Sequence, residues 1–280
     1  MTRKKRSALA VFRESKIAIA GSILIVVVVS IAILAPWVSP YDPREQKVVK
    51  RLQGPQADYL LGTDHYGRDI LTRIIWGSRT SLTVGLLAVT FAGLLGTCLG
   101  IIAGYKGGWI ENFIMRAADV FLSLPSLLTG LIVIVALGSG ISNVVIAISV
   151  ALTPRFIRLA HGPTLSLKEI GYVEATRASG GQEIRIMLRH ILPNIIGPIA
   201  VMATLWVATA IRIEASLSFL GLGTQPPNSS WGLMLKSGVD NIMISPYLAV
   251  FPGLAIMFAV MAFNMVGDGL RDALDPKLQG

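Results

Sequence analysis

Apolar residues dominate six long stretches of this chain, 17–36, 81–103, 113–137, 141–159, 195–222 and 247–266. Each runs to about 19 residues or more, enough as an α-helix to cross the roughly 30 Å hydrocarbon core of a bilayer. The pattern predicts an all-α, polytopic membrane protein of six spans, with two long connections at 37–80 and 160–194. An even number of spans places both chain ends on one side. The first stretch follows Arg3, Lys4, Lys5 and Arg6, as a signal peptide's apolar region would. Its length exceeds the roughly 7 to 15 residues of a cleavable signal, so it reads as a retained span. Gly96, Gly100 and Gly104 recur four apart in the second span, leaving one helix face bare for close approach of a neighbour. Pro125, Pro154 and Pro252 fall inside spans and predict bends.

Composition sharpens this reading. Of 280 residues, 53% are hydrophobic and 15% charged, with a mean hydropathy of +0.65, more apolar than a soluble core of this size requires. The single cysteine, Cys98, excludes a disulfide framework or a cysteine metal site within the chain. The net charge of +9 sits beside apolar segments and is not interleaved with aromatics, which points to lipid headgroups as partners and away from nucleic acid.

The basic residues also set the orientation. Lys168, Arg177, Arg185 and Arg189 lie in the 160–194 connection, with Arg155 and Arg158 just before it, whereas the loop after Leu222 offers only Lys236. The bias places that connection and both termini in the cytoplasm, with 37–80 outside.

Within 160–194 the pattern predicts two short helices hinged at glycine. The first carries Glu174, Ala175 and Arg177; Gly180 and Gly181 end it, because glycine accepts positive φ. From Gln182, Ile184, Leu188 and Ile191 recur at helical spacing with Arg185 and Arg189 opposite, and Pro193, after Leu192, is expected to stop the helix. An amphipathic helix of this kind suits a membrane surface or a partner protein equally well.

The run Glu174-Ala175, Gly180 six residues after the Glu, and Leu192-Pro193 resembles the signature loop of binding-protein-dependent ABC importer permeases. Thr176 stands where that family usually has a second Ala, and His190 where it has a branched apolar residue. Leu61-Gly62-Thr63-Asp64-His65-Tyr66-Gly67-Arg68-Asp69, Ser218-Phe219-Leu220-Gly221-Leu222-Gly223, and the ending from Phe263-Asn264 to Leu274-Asp275-Pro276 are similar to the second permease subunit of the dipeptide, oligopeptide and nickel branch. The resemblance implies a division into a 1–80 segment (cytoplasmic tail, first span, external segment) and an 81–280 permease core. It further implies a second homologous permease, two ATPase subunits or domains, an external solute-binding protein, and a bacterial inner-membrane location. Glu174, Ala175, Arg177, Gly180, Ile184, Leu188, Leu192 and Pro193 would then form the ATPase-coupling loop.

Other chemistry is sparse. Asp64, His65 and Asp69 cluster in a Gly-rich segment, where carboxylates cap turns more readily than they bind metal. No Gly-x-x-x-x-Gly-Lys-Ser/Thr pattern exists to hold nucleotide, so ATP and Mg2+ belong on partner subunits. No catalytic constellation is visible, and the chain is not read as an enzyme. Arg212 and Glu214, charged within the fifth span, are candidates for the translocation path. The alternative is an ion-coupled transporter or channel acting without ATPases. The solute stays open among dipeptides, longer peptides, glutathione, opines, sugars and nickel chelates.

Overall fold

The computed structural model describes residues 8–274; Arg3, Lys4, Lys5 and Arg6, together with Asp275 and Pro276, lie outside the described residues. The chain forms α1 (Ala8–Glu14), α2 (Lys16–Val38), α3 (Ile70–Lys106), α4 (Gly108–Leu122), α5 (Ser126–Leu137), α6 (Ile141–Lys168), α7 (Gly171–Ala178), α8 (Glu183–Ile186), α9 (Leu192–Phe219), α10 (Trp231–Asp240) and α11 (Tyr247–Leu274). Among the described residues, five helical runs are long and apolar enough to cross a membrane: α2, α3, α6, the continuous 183–219 run and α11.

The third expected span is broken. α4 and α5 meet at a 96° bend across Ser123, Leu124 and Pro125. Pro125 has no N–H to continue the ladder and disfavours the helical conformation at Leu124, and here the helix ends, whereas α6 and α11 run on through Pro154 and Pro252. The second span is longer than its apolar stretch. α3 begins at Ile70, where Asp69 caps it by accepting from the Thr72 N–H at 2.8 Å, so a boundary at residue 80 falls inside a helix.

α3 packs against α6 and α9 at the centre of the molecule. The glycine face meets α6: a Cβ on Gly96 would come 2.6 Å from the Thr153 carbonyl, and one on Gly100 2.8 Å from the Ala160 Cβ. Helix backbones in apolar surroundings gain from dispersion at such close approach, and glycine alone permits it. Phe156 and Trp206 add an edge-to-face aromatic pair joining α6 to α9, with centroids 4.3 Å apart. α2 and α11 pack together on one side, Gly21 fitting against Met265 and Gly269 against Ala18.

The two ends of the bundle differ. Residues 39–69 fold over the start of α3, and we call this the capped end. There the Tyr41 hydroxyl donates to the Asp58 carbonyl at 2.6 Å, and the Leu52 N–H donates to the Asp64 carbonyl at 3.1 Å. α10 lies against the same end, through the Trp231 indole N–H to the Ile74 carbonyl at 3.1 Å and the Ser229 hydroxyl to the Arg73 carbonyl at 2.9 Å. At the opposite end, α7 and α8 link α6 to α9; this is the hinge end.

Candidate functional site

At the hinge end, Gly180 has φ +81°. The Gly180 N–H donates to the Arg177 carbonyl and the Gly181 N–H to the Thr176 carbonyl, each at 3.0 Å, which closes α7 with a left-handed cap. Of these two glycines only Gly180 has positive φ; Gly181 is needed for space, since a Cβ there would come 2.7 Å from the Thr176 carbonyl. The two-helix reading of this segment holds, but Pro193 does not stop the second helix. Residues 187–191 widen into a π-turn, closed by the Leu192 N–H on the Met187 carbonyl, and the helix runs on into α9. Widening lets a proline enter, because the usual i−4 bond its missing N–H would make is already displaced there.

The apolar stripe also splits. Ile186 and Ile191 are fully buried and Leu192 is partly buried, anchoring the segment to the core beside Val173. Ile184 and Leu188, expected on one stripe with Ile191, are 61% and 58% exposed while Ile191 is buried, because the π-turn shifts the register by part of a turn. Ile170 and Tyr172 at the start of α7 are likewise exposed, so apolar side chains stand exposed on both sides of the Gly180 turn in sequence, and Glu174, Ala175, Arg177 and Pro193 are exposed as well. Two contacts tie this segment to the tip of α3: an ion pair between Lys106 and Glu183, and the Arg177 guanidinium 5.2 Å from the Tyr105 ring centre.

At the capped end the carboxylates build turns. Asp64 accepts from the Tyr66 and Arg68 N–H groups at 2.8 and 3.0 Å and pairs with the Arg68 guanidinium at 2.7 Å; Arg73 lies 3.6 Å away. Burial lowers the His65 pKa below its usual value, with the neighbouring Asp64 opposing the shift.

Arg212 and Glu214 are not brought together. Arg212 is exposed, its guanidinium 3.1 Å from the Thr209 hydroxyl, on a recess of about 520 Å³ shared with Leu127, Ser216, Phe219, Leu235 and Ile256. Glu214 is fully buried on the other side of α9. Its carboxyl accepts from the Ser81 hydroxyl at 2.9 Å and the Ser218 hydroxyl at 2.7 Å. Ser81 Oγ in turn accepts from the Trp231 N–H at 3.4 Å, and Ser218 Oγ from the Thr224 N–H at 3.2 Å. The carboxyl therefore pins α9 to α3 and to the start of α10.

Residues 96–280 match the family model described as binding-protein-dependent transport system inner membrane component, and residues 6–55 match the N-terminal transmembrane domain of oligopeptide transport permease C. The chain belongs to the binding-protein-dependent ABC importer permeases. Among its relatives, the dipeptide transport system permease protein DppC of Alkalihalophilus pseudofirmus is 46% identical over 98% of this chain and 90% of its own length. The glutathione transport system permease protein GsiD is 42% identical in Pectobacterium atrosepticum and 43% identical in Escherichia coli, over 96% of this chain and 89% of the relative in each case. The solved MetNI methionine ABC transporter in inward-facing conformations shares the fold, at TM-score 0.57 and 17% identity over 73% of this chain and 97% of that one. The matched N-terminal domain assigns the permease to the second, C-type subunit of the peptide branch, and nothing in these relatives supports the ion-coupled alternative.

Three features of the permease escaped the sequence pattern. α10 was legible in principle, since Ser230 before Trp231 is an N-cap signal, with the Leu233 N–H donating to its hydroxyl at 3.3 Å. The Ser218 to Gly223 motif is a helix stop: Gly221 at φ +82° closes α9 with the Leu222 N–H on the Leu217 carbonyl, turning Thr224 back onto Ser218. The Lys106 to Glu183 pair, 77 residues apart, left no local signal.

Proposed function

We propose that this permease moves small peptides, of the dipeptide or oligopeptide class, inward across the membrane. It forms half of a pore with a second homologous permease. Two ATPase subunits or domains on the hinge end supply the energy from ATP and Mg2+, and a solute-binding protein delivers cargo at the capped end. On this reading the hinge end and both termini are cytoplasmic, and 37–80 is external. The observation that carries it is the exposure of four apolar side chains, Ile170, Tyr172, Ile184 and Leu188, on either side of the Gly180 turn in sequence, in a segment that Val173, Ile186 and Ile191 anchor in the core. A protein surface that presents apolar residues beyond its lipid-facing helices is built for a partner. Glu174, Ala175, Arg177 and Gly180 are exposed in the same segment, while Leu192 and Pro193 join it to α9, so movement of the docked partner is passed into a span.

Arg212 is proposed to face the pathway, since it is exposed beside Ser216 on an open, otherwise apolar recess; a cation there would meet the carboxylate end of a peptide. Glu214 has a positioning role instead. The relatives named for dipeptide and glutathione transport support a peptide cargo. Reconstituting the chain with its permease partner, ATPases and binding protein tests the reading. ATP-dependent uptake of a labelled dipeptide or of glutathione supports it, and uptake by this chain alone under an ion gradient sinks it.

A further inference from the structure

The permease must carry a signal from the hinge end to the capped end, and only some elements join the two. α3, at 37 residues, is about 55 Å long and without a proline. At the capped end it is fastened by buried polar contacts: Ser81 to Glu214, the Arg73 carbonyl to Ser229, and the Ile74 carbonyl to Trp231. Towards the hinge end, the glycine face of Gly96, Gly100 and Gly104 seats it against the backbone and the Phe156, Ala160 and Thr164 side chains of α6. At the hinge end its last residue, Lys106, pairs with Glu183 in the first turn of α8, while Arg177 of α7 covers Tyr105. The polarity of that joint is ordered. A cation at the carbonyl end of α3 meets an anion at the amide end of α8, each charge at the helix terminus that favours it.

We propose that α3 is the strut that carries motion of the coupling segment to the capped end, and that the Lys106 to Glu183 pair is its attachment point. This rests on the coupling role proposed above. The pair is half exposed, with side-chain exposures of 38% and 54%, so it adds little to stability, and breaking it leaves the fold standing. Its contribution is directional: when α7 and α8 move with the ATPases, the charge pair and the Arg177 stack draw the tip of α3 with them. The far end of α3 then shifts α10 and the 39–69 segment, where cargo would be received.

Charge exchange in the reconstituted complex tests the joint. Lys106→Glu and Glu183→Lys each place like charges together and are expected to cut binding-protein-stimulated hydrolysis and uptake by about five-fold, with the permease at wild-type level in the membrane. The double exchange restores the pair with reversed sign and is expected to recover most of the loss. Wild-type stimulation in both single variants, or a double variant no better than the singles, overturns the strut. Should either reversal fail to assemble, Lys106→Gln and Glu183→Gln take its place: reduced stimulation supports the joint and full stimulation overturns it. Gly180→Val, measured alongside, separates the two ideas. A defect there with normal charge variants removes the strut alone, whereas normal coupling in Gly180→Val removes the coupling segment's role altogether.

Discussion

At Gly180 nothing lies within 4 Å of the position a Cβ would occupy, so a side chain there meets no neighbour and only the positive φ opposes it. Gly180→Val is therefore expected to strain the α7 cap by about 1 to 3 kcal/mol without disturbing the spans. Gly180→Asn, which tolerates that conformation, should keep most of the coupling; equal loss in both variants, read as stimulated hydrolysis, would show that strain is not the cause. Glu214 poses the opposite case, a group whose surroundings were built for it. Glu214→Leu leaves the Ser81 and Ser218 hydroxyls without their acceptor in the core, at a cost of about 2 to 4 kcal/mol, visible as a lowered thermal midpoint of the detergent-solubilised complex. Glu214→Gln, which keeps one acceptor oxygen, should fall between. His65 gives a pH signature. Its pKa is held below the usual 6.5 by burial, so the unfolded segment binds the proton more readily. The stability of the capped end is full above about pH 6.5 and declines as the pH falls below it. Hydrogen exchange over 47–69 should rise on acidification, and His65→Gln should flatten that rise.

Among the elements, α3 and α6 form the closest joint. Gly100→Val would drive a branched side chain into the Ala160 Cβ and the Ile157 carbonyl, which are backbone or nearly so and cannot step aside. The expected result is separation of the two helices and loss of folded permease from the membrane, judged by expression and protease resistance. Gly93→Ala is the milder control, since its Cβ would meet only the Phe156 ring at 3.3 Å; comparable damage from both would mean that the close approach is not what holds the pair. The broken α4–α5 span follows the same logic of local constraint: Pro125 ends one helix and starts another. The π-turn at 187–191 was beyond local rules, because Pro193 is a helix stop by propensity and becomes a helix residue only once the preceding turn widens.

For the whole molecule, orientation decides which partner meets which end. In a Cys98→Ala background, Val49→Cys, at a position 97% exposed in the 39–69 segment, is expected to react with an impermeant thiol reagent added outside intact cells. Gln182→Cys, exposed at the start of α8, should react only after permeabilisation. The reverse pattern would put the Gly180 segment outside and remove its access to an ATPase.

How much of this was written along the chain differs by the range of the interaction. Spans, the glycine face of α3, a bend at Pro125 and the Gly180 turn all follow from apolar length, residue size or backbone freedom, which act within a few residues of one another; that Pro125 breaks its helix while Pro154 and Pro252 stay inside theirs does not. The permease family and its peptide branch were legible because several short motifs, Glu174 to Pro193 among them, occur together. The fate of each side chain was not. Ile184 and Ile191 look equivalent at helical spacing, yet a π-turn exposes one and buries the other. Arg212 and Glu214, two residues apart, turn to opposite sides of α9, and only the arrival of Ser81 and Trp231 from distant helices makes Glu214 an internal pin. Lys106 meets Glu183 for the same reason: packing brings together groups that no local pattern relates, and the cost of leaving a buried polar group unpaired then fixes its role.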